Sequence, residues 1–318
     1  MIITVALNPA VDLTLEVDHF QQADTNRVLA LRQDVGGKGI NVARALKALG
    51  YEALASGFAP GARGRQIEDQ LMDSSIGCEF IYIPGEVRTN ITILDRATHA
   101  HTQLALPGPT LPRSALLLLM ERLRRRVRAS TWLVLAGSIP PPGDPAVYIE
   151  LIRMATDRGG QTALDADGPV VEAILASDVR PTLLKMNDHE LARLLHLNIE
   201  NEDEALLAAR RVRAKGVPSV VVTLGSHGAI AVTDDGEFRV SSPRVDVVSA
   251  VGAGDAFLSG LMYGLVKGGG WETALPIASA AGAAACLEPG TLLCSGENVW
   301  RLQPLALAER IREVSAAR

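Results

Sequence analysis

The 318-residue chain is short of aromatics (4%), carries three cysteines, and contains five lysines against twenty-six arginines. Cys78, Cys286 and Cys294 are too few and too irregularly spaced for a disulfide framework or a thiolate metal site, so free thiols in a reducing compartment are expected. No apolar run approaches the roughly 18 residues a membrane span needs. The opening "MIITVALNP" has neither a basic segment nor a small-residue cleavage site and reads as a first strand instead of a leader, so cytoplasm is the expected location. A positive global field is missing as well: the net charge is −5, which argues against nucleic acid or anionic lipid as partners. The densest basic stretch, "ERLRRRVR" (121–128), continues a helical pattern of Leu116, Leu119, Leu123 and Val127 and reads as a solvated helix face. Tandem repeats, low-complexity tracts and an obvious linker are all lacking, and one continuous domain over residues 1–318 is expected.

Hydrophobic residues make up 47% of the chain, and their order carries the fold. From Trp132 onward, aliphatic runs alternate with amphipathic stretches: "WLVLAGS", a helix near 145–158, "QTALDAD", a helix, "TLLKMN", a helix near 202–215, then "SVVVTLG". That alternation predicts an α/β protein with a parallel sheet covered by helices, its site at the strand carboxyl ends. The first third differs. "LTLEVD" (13–18), "RVLALRQ" (27–33), "TNITILD" (89–95) and "HTQLALP" (101–107) alternate with period two and lack intervening helices within each pair. They predict a small antiparallel sheet, over about 13–35 and 88–107, set above the main sheet as a lid or dimer platform.

The sequence offers several places for chemistry. In "DVGGKGINVARALKALG" (34–50), glycines precede a helix that carries Lys38 and Asn41; backbone could approach a ligand here, or the segment is an ordinary tight turn. It matches neither a Walker A loop nor G-x-G-x-x-G. Asp12 in "NPAVD" stands at a strand end, where a carboxylate can accept bonds from two adjacent hydroxyls or shape a turn. Arg88 and Asn90 share one face of a lid strand, and arginine's fork of donors suits a phosphate as well as a surface salt bridge. Arg27 opens another such strand. Asn187 and Glu190, three apart at a helix start, offer oxygen to Mg²⁺ or simply cap the helix. Lys185 ends the strand before them, and "VVVTLGSHGAIAV" (220–232) reads as two strands with a glycine-rich turn that suits a nucleotide or a plain hairpin. In "SAVGAGDAFLSG" (249–260), Gly252, Ala253 and Gly254 would leave backbone N–H groups at a helix N-terminus, an anion site. Asp255 there is either a helix cap or a general base beside that site.

In combination, "TVALNPAVD", "GGKGINVARAL", "RTNITI", "GSIPPPG", "NDHEL", "VVTLGSHGA", "VGAGDAFLSG" and "EPGTLLCS" closely resemble the PfkB carbohydrate kinase family across essentially the whole chain. "NPAVD", "TNRV" and "RTNITI" look like its phosphofructokinase and tagatose-6-phosphate kinase branch. The resemblance implies a ribokinase-like three-layer α/β/α sandwich with a β-sheet lid, and transfer of phosphoryl from ATP to a ketohexose phosphate. A kinase for an unphosphorylated sugar or nucleoside, or a non-catalytic sugar-phosphate sensor, is the alternative. Asp255 would be the base, with Gly252, Ala253 and Gly254 as anion hole. Asp12, Gly37 and Asn41 would hold sugar hydroxyls, and Lys38 and Arg88 the substrate's phosphate, with Asn90 and Ser138 nearby. Arg27 and Asn26 would reach that phosphate from the lid, in a homodimer built through the lid sheet. Thr223, Gly225, Ser226 and Gly228 would line the nucleotide site with Ala280 and Ala284; Asn187 and Glu190 would organise Mg²⁺ through water, and Lys185 would face the ATP phosphates. "EPGTLLCS" resembles a loop that holds a monovalent cation, implying K⁺ near Ser249, Val251 and Gly290. Two departures stand out: "KMN" replaces the family's K-P-N, which leaves Lys185 less firmly assigned, and "GSIPPPG" carries an extra proline beside Ser138.

Overall fold

The structure, a computed structural model, describes residues 1–98, 100–290 and 292–311. Its first half runs β1 (Ile2–Ala6), β2 (Ala10–Val17), β3 (Val28–Gly36), α1 (Lys38–Ala48), β4 (Leu54–Pro60), α2 (Gly61–Asp73), β5 (Gly77–Ile83), β6 (Arg88–Asp95), β7 (His101–Leu104), α3 (Arg113–Arg126), β8 (Trp132–Ala136) and α4 (Ala146–Asp157). It continues through β9 (Gln161–Asp165), α5 (Gly168–Ala176), β10 (Leu183–Asn187), α6 (Asp188–Leu195), α7 (Glu202–Arg213), β11 (Ser219–Thr223), β12 (Ala229–Thr233), β13 (Gly236–Val240), α8 (Ala253–Val266), α9 (Gly270–Cys286), α10 (Gly296–Leu302) and β14 (Ala308–Arg310).

The larger sheet has the order β14-β13-β12-β11-β10-β9-β8-β1-β4-β5. From β5 to β11 neighbouring strands are parallel, and β12, β13 and β14 then add antiparallel at one edge. Buried aliphatic runs such as "WLVLA" are what such strands require, because both faces are covered. One face packs α3 to α7 through Leu119, Tyr148, Val171, Leu191 and Ala209. The other packs α1, α8 and α9 through Leu46, Leu258, Leu261 and Leu275. The expected three-layer α/β/α sandwich is the observed one. "LASGFAP" and "GCEFIYI", which form β4 and β5, escaped the sequence reading, since the first is mostly small residues and carries no clear period.

The second sheet has the order β3-β2-β6-β7. All four expected lid strands are present, but the sheet is not wholly antiparallel: β2 and β6 run parallel from Ala10–Arg88 to Val17–Asp95. The cause is connectivity. Each follows within a few residues a core strand, β1 or β5, and those two point the same way, so the chain leaves the core twice in one direction. The same register sets Asp12 between Asp34 on β3 and Asn90 on β6, at the lid edge nearest the strand carboxyl ends. Cys78, Cys286 and Cys294 are free thiols, as expected. No helix of the described residues is long and apolar enough to cross a membrane. The basic run on α3 pairs Arg125 with Glu121 and Arg126 with Glu79, consistent with a solvated face.

Candidate active site

Gly252 is the N-cap of α8, and its φ of 80° is the left-handed conformation glycine adopts without strain. The Ala253 N–H turns back to the Ala250 carbonyl at 3.3 Å. Gly254 and Asp255, in the first helical turn, have no carbonyl four residues back within the helix, so their donors and the helix dipole make the anion-binding end. Of the three expected anion-hole residues, Gly252, Ala253 and Gly254, Ala253 is the one whose N–H has a backbone partner in the turn. Asp255 itself is 7% exposed and makes no side-chain cap; its Oδ2 accepts a 2.8 Å bond from Asn41 Nδ2 of α1. Burial, against the pull of Lys38 and with a contribution from the nearby Asp165, pushes its carboxyl up to about 6. A carboxylate poised near neutrality and held by one amide suits a general base.

Below that helix end, three charged side chains form a cluster in which Asp165 and Lys185 are buried and Lys38 is one-third exposed. Asp165, at the end of β9 and 1% exposed, accepts Lys38 Nζ at 2.6 Å on one oxygen and Lys185 Nζ at 2.8 Å on the other. Burial would raise the Asp165 carboxyl, but the two ammonium groups hold it well below the usual carboxylate range. Burial alone would likewise lower Lys38; Asp165 overcomes it and leaves the ammonium raised. Lys185 is therefore fixed in place despite the Met186 that follows it, itself 2% exposed inside β10. Lys38, for its part, pairs with Asp165, feels the charge of Asp255, and keeps one third of its side chain exposed.

The lid closes the other side. Asn90 Nδ2 donates to Asp12 Oδ1 at 2.8 Å, and burial raises the Asp12 carboxyl while that bond and Arg88 oppose the rise. A Cβ on Gly36 would collide with the Asp12 carboxylate, so glycine there makes room for it. Gly37 precedes α1 at its N-cap position. Arg88 donates through Nε to the Asn8 carbonyl at 3.3 Å and through Nη1 to the Leu106 carbonyl at 3.2 Å. Asn8 Nδ2 in turn donates to Ser138 Oγ at 3.2 Å and to the Pro107 carbonyl at 2.9 Å. Three side-chain oxygens here, those of Asn8, Asn41 and Asn90, are buried with no partner. Such acceptors ask for hydroxyl donors.

A cavity of about 750 Å³ opens on the outer side of the anion-binding end. Lys185, Asn187, Thr223, Gly225, Ser226 and Gly228, expected at a nucleotide site, line it together with Ala253 and Gly254. Ala280 and Ala284 do not. Both are fully buried in the core, and α9 presents Ser279, Gly282, Ala283 and Cys286 to the cavity instead. With small apolar residues on every side, α9 gives no amphipathic cue to its rotation. Asn187 and Glu190 form a reciprocal capping box, each side chain accepting the other's backbone N–H at 2.7 and 2.8 Å. The helix-cap reading is therefore realised, and direct metal ligation by Asn187 Oδ1 would compete with it. Among the described residues no three His, Cys, Asp or Glu side chains gather as a metal cage, so a Mg²⁺ ion fits only if nucleotide oxygens and water supply most of its shell, with Glu190 behind them. Ser249, Val251 and Gly290 do come together, around a second cavity of about 130 Å³ that Asp12 also lines.

Arg27 and Asn26 stand apart. Arg27 is exposed, nine residues before Gly36 along β3, which is roughly 30 Å at ~3.3 Å per residue. Asn26 bonds only its own loop, at Gln21 and Asp24. Neither reaches Arg88 within one chain. Sequence reading also passed over Asp165 and Asn8; each ends a parallel strand or follows one, the location where such sheets place function, and that was the available signal.

A parallel sheet with helices on both faces, a lid at the strand carboxyl ends and a nucleotide-sized cavity at a helix N-terminus is the ribokinase-like architecture. The profile of the pfkB family carbohydrate kinases matches residues 5–298, and the chain belongs to that family. A tagatose-6-phosphate kinase of Staphylococcus epidermidis is 34% identical over 292 residues, covering 92% of this chain and 94% of the relative. The structure of phosphofructokinase-2 from Escherichia coli in complex with substrates and products superposes with a TM-score of 0.88 at 29% identity, covering 96% of this chain and 98% of that one. A "possible 1-phosphofructokinase" of Thermotoga maritima gives 0.84 at 26% identity, covering 98% and 100%.

Proposed function

We propose that the protein transfers the γ-phosphoryl group of ATP to the free primary hydroxyl of a ketohexose phosphate, giving a bisphosphate. The observation that carries this reading is the buried Asp255, held by Asn41 at the helix end that faces the large cavity, together with the unpartnered side-chain oxygens of Asn8, Asn41 and Asn90. A polyol supplies the hydroxyl donors those oxygens want, and ATP fills the cavity. The acceptor oxygen bonds to γ-phosphorus as its proton passes to Asp255; the bond from γ-phosphorus to the bridging oxygen breaks, and ADP leaves. The Gly254 and Asp255 amides, with Lys185 and Lys38, receive the charge that spreads over the transferring group. Mg²⁺ bound with the nucleotide would supply further charge neutralisation, with Glu190 and Asn187 holding it through water. A related structure is that of phosphofructokinase-2 in complex with potassium, and the cavity at Ser249, Val251 and Gly290 is where this chain would take K⁺.

Arg88 is the cation for the substrate's own phosphate, with Ser138 beside it through Asn8. The test is kcat/KM across fructose 1-phosphate, fructose 6-phosphate and tagatose 6-phosphate, with fructose as control. One of the three phosphates should exceed fructose by at least ~10²-fold, the worth of a charge-assisted contact. Equal use of fructose would return the assignment to an unphosphorylated sugar.

The small sheet is the lid of one kinase domain and, on this reading, its dimer surface. Val28, Leu29, Leu31 and Leu104 are 47%, 53%, 63% and 50% exposed there, a patch that a second copy would cover. That arrangement would also carry Arg27 to the partner's site, which one chain alone does not allow. Sedimentation should give a dimer that Leu31→Glu dissociates; a monomeric native protein would overturn it.

A further inference from the structure

We propose that Asp165 is a positioning residue for phosphoryl transfer: it tethers Lys38 and Lys185 at a fixed separation on either side of the anion-binding end of α8 and cancels one of their two charges. The inference rests on the kinase reading above, with Asp255 as base.

The geometry is specific. Each Asp165 oxygen takes one ammonium, at 2.6 and 2.8 Å, from two different elements: Lys38 opens α1, and Lys185 lies in β10. Lysine carries roughly 2 kcal/mol of rotamer entropy on a four-carbon stem, so an ammonium meets a moving phosphoryl group at one place only if something holds it. On one side, Lys185 Nζ lies where a Cβ on Gly254 would come within 2.9 Å, directly against the amide end. On the other, Lys38 is the cation that acts most strongly on Asp255. The four groups, Lys38, Lys185, Asp165 and Asp255, sum to no net charge before substrates arrive. Without Asp165, Lys185 would lose its buried partner and Lys38 its hydrogen-bonded one, and the distance between the two ammonium groups would no longer be set. Its place at the end of β9, one strand from β10, holds the carboxylate on rigid sheet, and the Gly137 N–H bonds its backbone carbonyl at 2.9 Å.

Asp165→Asn keeps size and removes the charge. With whichever ketohexose phosphate turns over fastest, kcat should fall about 10²-fold, and the Kd for ATP by calorimetry should stay within about threefold or tighten, since a negative charge near the phosphates is gone. The acid limb of kcat/KM should move to lower pH. The groups facing Asp255 are Lys38 and Asn41 from α1, Asp165 from β9 and Lys185 from β10; losing the one like charge among them lowers the base's pKa. Asp165→Glu, which retains the charge with a displaced tether, should leave the limb in place while kcat still drops at least about tenfold. Native kcat in either variant, a limb unmoved in the first, or ATP affinity weakened more than tenfold overturns the tether. If the Asn variant does not fold, the Glu variant decides by its kcat and its limb. Absence of turnover by the native enzyme with every ketohexose phosphate sinks the kinase reading instead, and the ATP affinity of the Asn variant then remains the measure of the tether.

Discussion

Asp255→Asn should lower kcat by 10²- to 10⁴-fold, the usual worth of a positioned general base, while the affinities for ATP and sugar phosphate stay within a few-fold. The amide occupies the carboxylate's volume and can still accept from Asn41 Nδ2, now at 2.8 Å from the Asp255 Oδ2, so the helix end keeps its shape. What is lost is the proton acceptor. The native pH profile reports the same group. With a pKa of about 6, produced by burial and only partly opposed by Lys38, Asp255 is mostly ionised at neutral pH. Protonation removes the base, so kcat/KM should decline tenfold per unit as pH falls below about 6 and stay flat just above. Stopped assays on both proteins across pH 5 to 8 measure the two effects together. Turnover of the Asn variant within tenfold of native would refute the assignment.

Asp255 also shows what a sequence reveals of such a site. A carboxylate after three small residues at a helix start was legible as cap or base, and the choice between them rested on burial and on Asn41, which comes from 214 residues away. The parallel core was legible because strands covered on both faces must be continuously apolar, as β8 and β11 are. β4 was not, since its burial is achieved with alanine, serine and glycine. The rotation of α9 was lost for a related reason: a helix of alanines packs equally well at Ala280 and Ala283, and only the neighbouring elements decide which faces the cavity. Asp165 was hidden differently. "QTALDAD" announces a strand and two acids, but nothing local says that the first of them meets lysines 127 residues before it and 20 after. Lid strands were readable by period two, whereas the parallel pairing of β2 with β6 is a property of how the chain leaves the core.

Arg88→Ala should raise the KM for the sugar phosphate roughly 30- to 1,000-fold, the range for truncating one member of a largely desolvated charged pair, with the KM for ATP changed less than about threefold. On the proposed function, Arg88 has two roles that this substitution removes at once. Its Nε and Nη1 hold the Asn8 and Leu106 carbonyls, tying β6 to the segment that follows β1 and to the one that follows β7. Burial depresses its pKa, and Asp12 holds it up, yet it stays a cation at every assay pH. The roles separate on unphosphorylated fructose. A lost phosphate grip leaves the slow turnover of fructose at its native value, because that substrate never used the charge. A lost hinge would slow fructose and its phosphates alike, since both need the lid edge that carries Asp12 and Asn90. Arg88→Lys refines the comparison: a single ammonium cannot serve the two carbonyls and a phosphate together, so it should recover only part of the phosphate preference. Equal losses on fructose and on the phosphates would make Arg88 a hinge residue and move the phosphate site elsewhere.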